Sequence, residues 1–242
     1  MDLQWFVKWF NSPYYHILYQ NRSLTEAEDF IKKITQNLKL QQNSKLLDLA
    51  CGKGRHAITL NKLGFDVLGI DLSEESIKYA KQFENDTLKF ECHDMREVYH
   101  TNEFDGIFNL FTSFGYFENY NDNFEVFKAV KTQLKEHGTF VLDYLNAEKV
   151  VSGMIPYEEK TIDNIVFKLT KSIENGFIKK EIDFEDKGES YHFEEFVRLI
   201  YLKDFEEIYK KEGFELENVF GNYNLDEYDE KTSDRLILVL KK

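Results

Sequence analysis

A chain of 242 residues with 42% hydrophobic and 16% aromatic content is long enough for one large α/β domain with an insertion, and too apolar for disorder to dominate. Its formal net charge is −13, of which −11 falls between Glu158 and Glu230; so acidic a surface repels phosphate backbones and argues against a nucleic-acid substrate. The two cysteines and six histidines lack metal-ligand spacing. The first residues lack the charge and apolar pattern of a signal peptide, and no apolar run approaches the roughly 18 residues of a membrane span. The expectation is a cytoplasmic protein with reduced thiols, no metal and no membrane partner.

Trp5, Phe6, Trp9 and Phe10 keep i,i+4 spacing, which predicts a helical turn that Pro13 interrupts. With only Lys8 as a base, this stripe packs on protein rather than on a membrane surface. Tyr14, Tyr15 and Tyr19 follow. A helix is predicted from about Thr25 to Leu40 on Ala27, Phe30, Ile31, Ile34 and Leu38, capped by Ser23 or Thr25.

From Lys45 short apolar strands alternate with helices. Strand Leu46–Ala50 leads to helix Arg55–Leu63, and strand Asp66–Ile70 to a Ser73-capped helix reaching about Phe83. Strands Leu88–Glu91 and Phe104–Leu110 come next. A helix from about Asp122 to Glu136, closed by Gly138, precedes strand Thr139–Tyr144. This alternation predicts a doubly wound, Rossmann-like α/β sheet covered on both faces.

The period then changes to two. Runs around Phe167–Ile173, Ile178–Phe184 and Tyr191–Tyr201, the first two joined by Asn175-Gly176, predict an inserted antiparallel three-stranded unit. Phe205, Ile208 and Tyr209 restore helical spacing up to Gly213. Strands Phe214–Phe220 and Arg235–Leu240, joined by a short connection, complete a seven-stranded sheet whose last strand is antiparallel.

The stretch LLDLACGKGRHA, Leu46 to Ala57, carries the first chemistry. Gly52-x-Gly54-x-x-Ala57 fits the dinucleotide fingerprint. Asp71 ends the second strand, where an acid accepts both ribose hydroxyls. These residues point to adenosine and leave NAD and its competitors open. Three features separate them. Asp48, inside the first strand, opposes a pyrophosphate but suits a ligand carrying an ammonium and a sulfonium. Asp94, after the third strand, suits an adenine amino group, with Met95 against the ring. The antiparallel closing strand departs from an all-parallel dinucleotide sheet.

In order and spacing, Leu47–Gly54, Gly69–Ser73, His93-Asp94-Met95 and Phe104–Asn109 resemble the class I S-adenosylmethionine-dependent methyltransferases of small-molecule type, over about Leu46 to Asp143. The resemblance implies S-adenosyl-L-methionine as cofactor. Gly52 and Gly54, with Cys51 just before them, wrap its methionine part, and Asp48 and the Ala50 carbonyl face its amino group. Asp71 holds the ribose, Leu72 packs on adenine, and Asp94 and Met95 meet the adenine edge. Asn109 and Phe111 lie near the methyl end. It also implies N-terminal helices over residues 1–44 covering the cofactor, with Tyr14 and Tyr19 reaching its carboxylate. The core is expected over 45–150 and 202–242, and a lid over 151–201 roofing the acceptor.

Asn109-Leu110-Phe111-Thr112-Ser113 lacks the prolines of DNA amino-methyltransferases, so no base-flipping pocket is indicated. The insertion resembles that of sugar N-methyltransferases and glycine-type enzymes, which implies methyl transfer to N or O of a small-molecule acceptor. Where such enzymes carry a histidine near Phe114-Gly115, this chain has Tyr116, either a hydrogen-bonding group of the site or core. An NAD(P)-dependent oxidoreductase and a non-catalytic S-adenosylmethionine-binding protein stand as alternatives.

Overall fold

A computed structural model describes residues 5–20 and 24–242. Its strands, in chain order, are β1 (Lys45–Leu49), β2 (Asp66–Asp71), β3 (Leu88–Cys92), β4 (Phe104–Asn109), β5 (Leu134–Leu145), β6 (Tyr157–Ile162), β7 (Ile165–Glu174), β8 (Phe177–Asp186), β9 (Glu189–Arg198), β10 (Glu215–Phe220) and β11 (Arg235–Lys241). The helices are α1 (Trp5–Phe10), α2 (Pro13–Leu18), α3 (Leu24–Asn37), α4 (Arg55–Lys62), α5 (Glu74–Ala80), α6 (Asp122–Gln133), α7 (Ala147–Ser152) and α8 (Leu202–Lys211).

Seven strands form one sheet in the order β3-β2-β1-β4-β5-β11-β10. The first five run parallel, and β11 runs antiparallel to both β5 and β10. Consecutive side chains of a strand point to opposite faces. Leu46 therefore joins Phe30, Ile31, Ile34, Ala57, Leu60 and Ile77 under α3, α4 and α5. Leu47 joins Phe127, Val130, Phe205 and Ile208 under α6 and α8. Both faces are covered, which is why the strands read as unbroken apolar runs. The chain leaves β1 toward β2 and β3, then returns to β4 on the other side. The crevice between the ends of β1 and β4 is the switch point where such sheets bind ligands.

The insertion has four strands, not three, in the order β6-β7-β8-β9. Three two-residue turns join them: Asp163-Asn164, Asn175-Gly176 and Lys187-Gly188, each with both φ values positive (49° and 65°, 52° and 78°, 52° and 81°). That is the geometry matching strand twist in tight hairpins. β6 escapes an apolar-alternation reading because its residues facing the same side as Leu169 and Phe167 are Glu158 and Lys160. Glu158 is held by Lys171 at 2.6 Å.

Other boundaries shift for local reasons. Pro13 does not merely interrupt a helix. It opens α2, whose N-cap Ser12 accepts from the Tyr14 amide. Thr25 lies inside α3, and Ser23 lies outside the described residues. α6 ends at Gln133, because buried Leu134 takes an extended conformation and pairs with Phe104. Gly138 consequently lies within β5, after left-handed His137 (φ 64°). The link between β10 and β11 is not short. It spans 221–234, and its Tyr223 packs on the Phe111 ring. Among the described residues no helix is long and apolar enough to cross a membrane.

Candidate active site

β1 ends at Leu49 and the backbone turns through left-handed Ala50 (φ 57°), Gly52 (54°) and Gly54 (85°) into α4. The two glycines answer to different constraints. A Cβ on Gly54 would stand 2.6 Å from the Phe90 ring, whereas one on Gly52 would project into open space with nothing within 4 Å. Gly54 serves helix–sheet packing, and Gly52 leaves room for a ligand. The Cys51 amide donates to the Ile70 carbonyl, and burial keeps its thiol protonated.

Asp71 ends β2 and accepts from the Gly52 and Ser73 amides, each at 2.8 Å. It thus joins the glycine turn to the start of α5. Burial raises its pKa, against the pull of those two amides. Leu72 beside it is half exposed, an apolar surface suited to a flat ring. Asp94 lies after β3 with both oxygens on the Arg96 guanidinium, at 2.6–3.1 Å. Burial opposes its charge, and Arg96 more than compensates. Met95 is partly buried against the sheet. Cys92 is exposed.

Asp48 sits mid-strand in β1, 1% exposed, with no hydrogen bond to either carboxylate oxygen. On the neighbouring strand Asn109 is wholly buried. Its amide donates to the Leu49 carbonyl at 3.1 Å while its Oδ1 has no partner. Buried polar atoms are rarely left unpaired, so the switch point presents two orphaned acceptors.

Beyond β4 lies Phe111, expected near the methyl end, together with residues that sequence reasoning missed: Thr112, Asp143, Arg235 and Tyr223. Phe111 and Thr112 are both left-handed (φ 58° and 61°), a conformation that costs about 1–3 kcal/mol per residue unless its surroundings enforce it. Asp143 enforces it: its Oδ2 accepts from the Phe111 amide at 2.7 Å and its carbonyl from the Thr112 amide at 3.0 Å. Arg235 donates to Asp143 and to the Thr112 hydroxyl, both at 2.8 Å, and Tyr223 donates to Asp143 at 3.2 Å. The Phe111 ring packs 4.8 Å from His56, Tyr223 and the Arg55 guanidinium. The Arg55 side chain donates to His56 Nε2. The Tyr116 hydroxyl donates to the Thr112 carbonyl, and its ring packs against Trp5 and Phe10.

Tyr14 and Tyr19 are placed elsewhere than expected. Tyr14 donates to Asp186 at 2.8 Å, and Tyr19 to Glu195 at 2.7 Å. Both hydroxyls face the second sheet because α1 and α2 pack on its apolar side, with Trp9 wholly buried against Phe193. Glu195 also accepts from the Trp9 indole and Lys180. Burial disfavours its charge, yet Lys180, Tyr19 and Trp9 together hold its pKa down. The arm touches the crevice through Asn11, which accepts from Ser73 at 2.5 Å. On the opposite side of the second sheet Glu181, His192 and Glu194 gather within 4.8 Å, but the Lys179 ammonium, paired with both glutamates, stands where an ion would sit.

The crevice therefore suits a ligand with a cationic end near Asp48, a bulky middle above Gly52, hydroxyls toward Asp71 and a flat ring toward Leu72. A methyl donor of the S-adenosylmethionine kind has these parts. A family model described as a methyltransferase domain matches residues 40–198. A putative methyltransferase, YqeM of Bacillus subtilis (strain 168), is 31% identical over 213 residues, 84% of this chain and 86% of the relative. A glycine/sarcosine N-methyltransferase of Aphanothece halophytica is 28% identical over 232 residues, covering 91% of this chain and 83% of that protein. The crystal structure of an S-adenosylmethionine-dependent methyltransferase from Clostridium acetobutylicum ATCC 824 superposes with a TM-score of 0.79 at 22% identity, over 94% of this chain and 95% of that one. The orphaned acid in β1, the open glycine turn and these matches agree: the chain belongs to the class I methyltransferases and is an enzyme that uses S-adenosyl-L-methionine.

Proposed function

We propose that the enzyme methylates the nitrogen of a small-molecule amine. The observation that carries this reading is the committed state of the titratable groups around the end of β4. The Tyr116 hydroxyl donates to the Thr112 carbonyl, His56 Nε2 accepts from Arg55, and Asp143 pairs with Arg235. Tyr223 donates to Asp143, and Tyr144 to the Arg198 carbonyl. Drawing a proton from an acceptor hydroxyl would mean breaking one of these pairs or using Asp48, which this reading gives to the cofactor's amino group. A neutral amine brings its own lone pair and needs no base in the transfer step. The glycine/sarcosine N-methyltransferase among the relatives supports the same chemistry.

In this reading Gly52, Gly54, Ala50 and Cys51 form the turn around the methionine part of the cofactor, with Asp48 toward its amino group. Asp71 takes the ribose hydroxyls, Leu72 and Met95 flank adenine, and Asp94 meets its amino group while still holding Arg96. A carboxylate has lone pairs for both. Asn109 and Phe111 border the methyl end. When bound, the cofactor supplies a methyl group on a sulfonium. The chain's part is to orient the acceptor and exclude water, which can contribute effective molarities of roughly 10⁵–10⁸ M. The second sheet, the aromatic arm with Trp5 and Phe10, and Tyr116 packed against that arm roof the acceptor. Tyr14 and Tyr19 fasten that roof.

The test is turnover with methyl-labelled S-adenosylmethionine and matched acceptors (glycine, sarcosine and an amino sugar against glycolate and the parent sugar), read by mass spectrometry. Label on an amine supports the reading. Label on hydroxyl or carboxyl oxygen, with none on amines, refutes it.

A further inference from the structure

Between the start of α3 and the 221–234 link lies a cavity of about 630 Å³ to which the cofactor reading gives no role. Its volume is that of a small-molecule site. Glu26, Asp29 and Asp234 line it, and Phe30 and Tyr223 supply an apolar wall. That wall continues to the end of β4. The Tyr223 ring packs 4.7 Å from Phe30 and 4.8 Å from Phe111. Arg235, also at the cavity, donates to the Thr112 hydroxyl. One aromatic layer thus separates the cavity from Phe111.

The charge around the cavity is negative. Arg235 is matched by buried Asp143 at 2.8 Å, Lys149 reaches Asp234 at 2.5 Å, and Lys32 stands 3.9 Å from Asp29. Lys33, which lines the cavity, donates to Asn224 at 2.6 Å. Across α3 and the link the sequence places eight acids and three bases. A concave site rimmed by one sign of charge concentrates the opposite sign. A ligand carboxylate is repelled here, an ammonium is drawn in, and methylene groups find the Phe30–Tyr223 wall.

We propose that this cavity seats a protonated amine at the far end of the acceptor, so that the acceptor is a diamine whose other, neutral nitrogen faces the methyl end. The proposal rests on the reading that transfer is to an amine nitrogen, and it makes amino acids poor acceptors. In the transfer the neutral nitrogen's lone pair forms the N–C bond, and the S–C bond breaks with its electrons left on sulfur. The new ammonium loses its proton to solvent. The far ammonium keeps its proton throughout.

Three probes of one chain length test it: 1,5-diaminopentane, pentylamine and 5-aminopentanoate. Each is titrated by calorimetry into the whole chain saturated with S-adenosylhomocysteine. The diamine is expected to bind about tenfold tighter than pentylamine, and 5-aminopentanoate more weakly than either. The gap between diamine and pentylamine should narrow as salt rises. In the doubly substituted Glu26→Gln, Asp29→Asn protein it should fall to about threefold or less. With methyl-labelled S-adenosylmethionine, kcat/KM should favour the diamine over pentylamine, chiefly through KM.

A diamine that binds the parent protein no tighter than pentylamine overturns the proposal whether or not the variant folds. So does a gap that ignores salt or survives the double substitution, or a diamine that binds without being methylated. Methylation of 5-aminopentanoate or pentylamine as readily as the diamine overturns it too, and leaves the amine reading standing. Transfer to oxygen alone overturns the amine reading, and the proposal with it.

Discussion

Arg235 and Asp143 meet across adjacent antiparallel strands, Nε 2.8 Å from Oδ1, with the carboxylate wholly buried. In the β5–β11 register Arg235 lies opposite Leu145 and Asp143 opposite Ile237, so the pair is diagonal on one face. The same carboxylate holds the Phe111 amide. One ion pair thereby fixes the left-handed turn after β4. Asp143→Ala strands a buried guanidinium and releases that turn, and is expected to cost about 3–5 kcal/mol. Urea denaturation of the variant against the parent measures it. Replacing both partners with leucine is expected to cost less than Asp143→Ala alone.

The two glycines of the turn separate stability from binding. Gly54→Ala drives a Cβ into the Phe90 ring at φ +85°, and is expected to cost roughly 2–5 kcal/mol from backbone strain and overpacking. Gly52→Ala meets no protein atom and costs only about 1–2 kcal/mol, yet its methyl group enters the ligand space. Thermal unfolding should drop mainly for Gly54→Ala. S-adenosylhomocysteine affinity should drop, by at least about tenfold, for a Gly52→Ala protein that remains folded.

Asp48 also sets a slope of stability against pH. Its carboxyl is raised from 3.8 to about 7 on folding. Between those values the folded form holds a proton that the unfolded chain has released, so stability falls as pH rises through that window. Integrated over it, this group accounts for about 4 kcal/mol. Asp48→Asn should flatten that slope and be more stable than the parent at pH 8. Chemical denaturation at pH 5, 6, 7 and 8 checks the sign.

Glu195 fastens the aromatic arm. Both tryptophans, Trp5 and Trp9, lie in α1, so their emission reports on the arm. Glu195→Ala removes the acceptor of the Trp9 indole and Tyr19 and leaves Lys180 without its carboxylate. The expected outcome is red-shifted emission and faster proteolysis before residue 24, with the seven-stranded sheet retained in far-ultraviolet circular dichroism.

What was legible in the sequence follows from what breaks a pattern. Asp48 and Asp71 stand out because a carboxylate inside or ending an apolar strand contradicts burial, and a ligand resolves the contradiction. Asp143 carries the same signal inside Phe140–Leu145. Its meaning depended on Arg235, 92 positions away, which only the β5–β11 register supplies. β6 escaped because its inward positions are charged and paired. Tyr14 and Tyr19 share an aromatic arm by spacing, but spacing is silent on which surface the arm covers. The apolar side of the second sheet won it. Tyr223 was hidden in a segment expected to be short.

The central claim is that the acceptor brings its own lone pair. The most direct measurement is the pH dependence of kcat/KM for two amine acceptors of different basicity. The account predicts an acidic limb whose midpoint moves with the pKa of the amine, since only the neutral amine reacts. A limb fixed at one pH for both amines would reveal a base on the enzyme and contradict it.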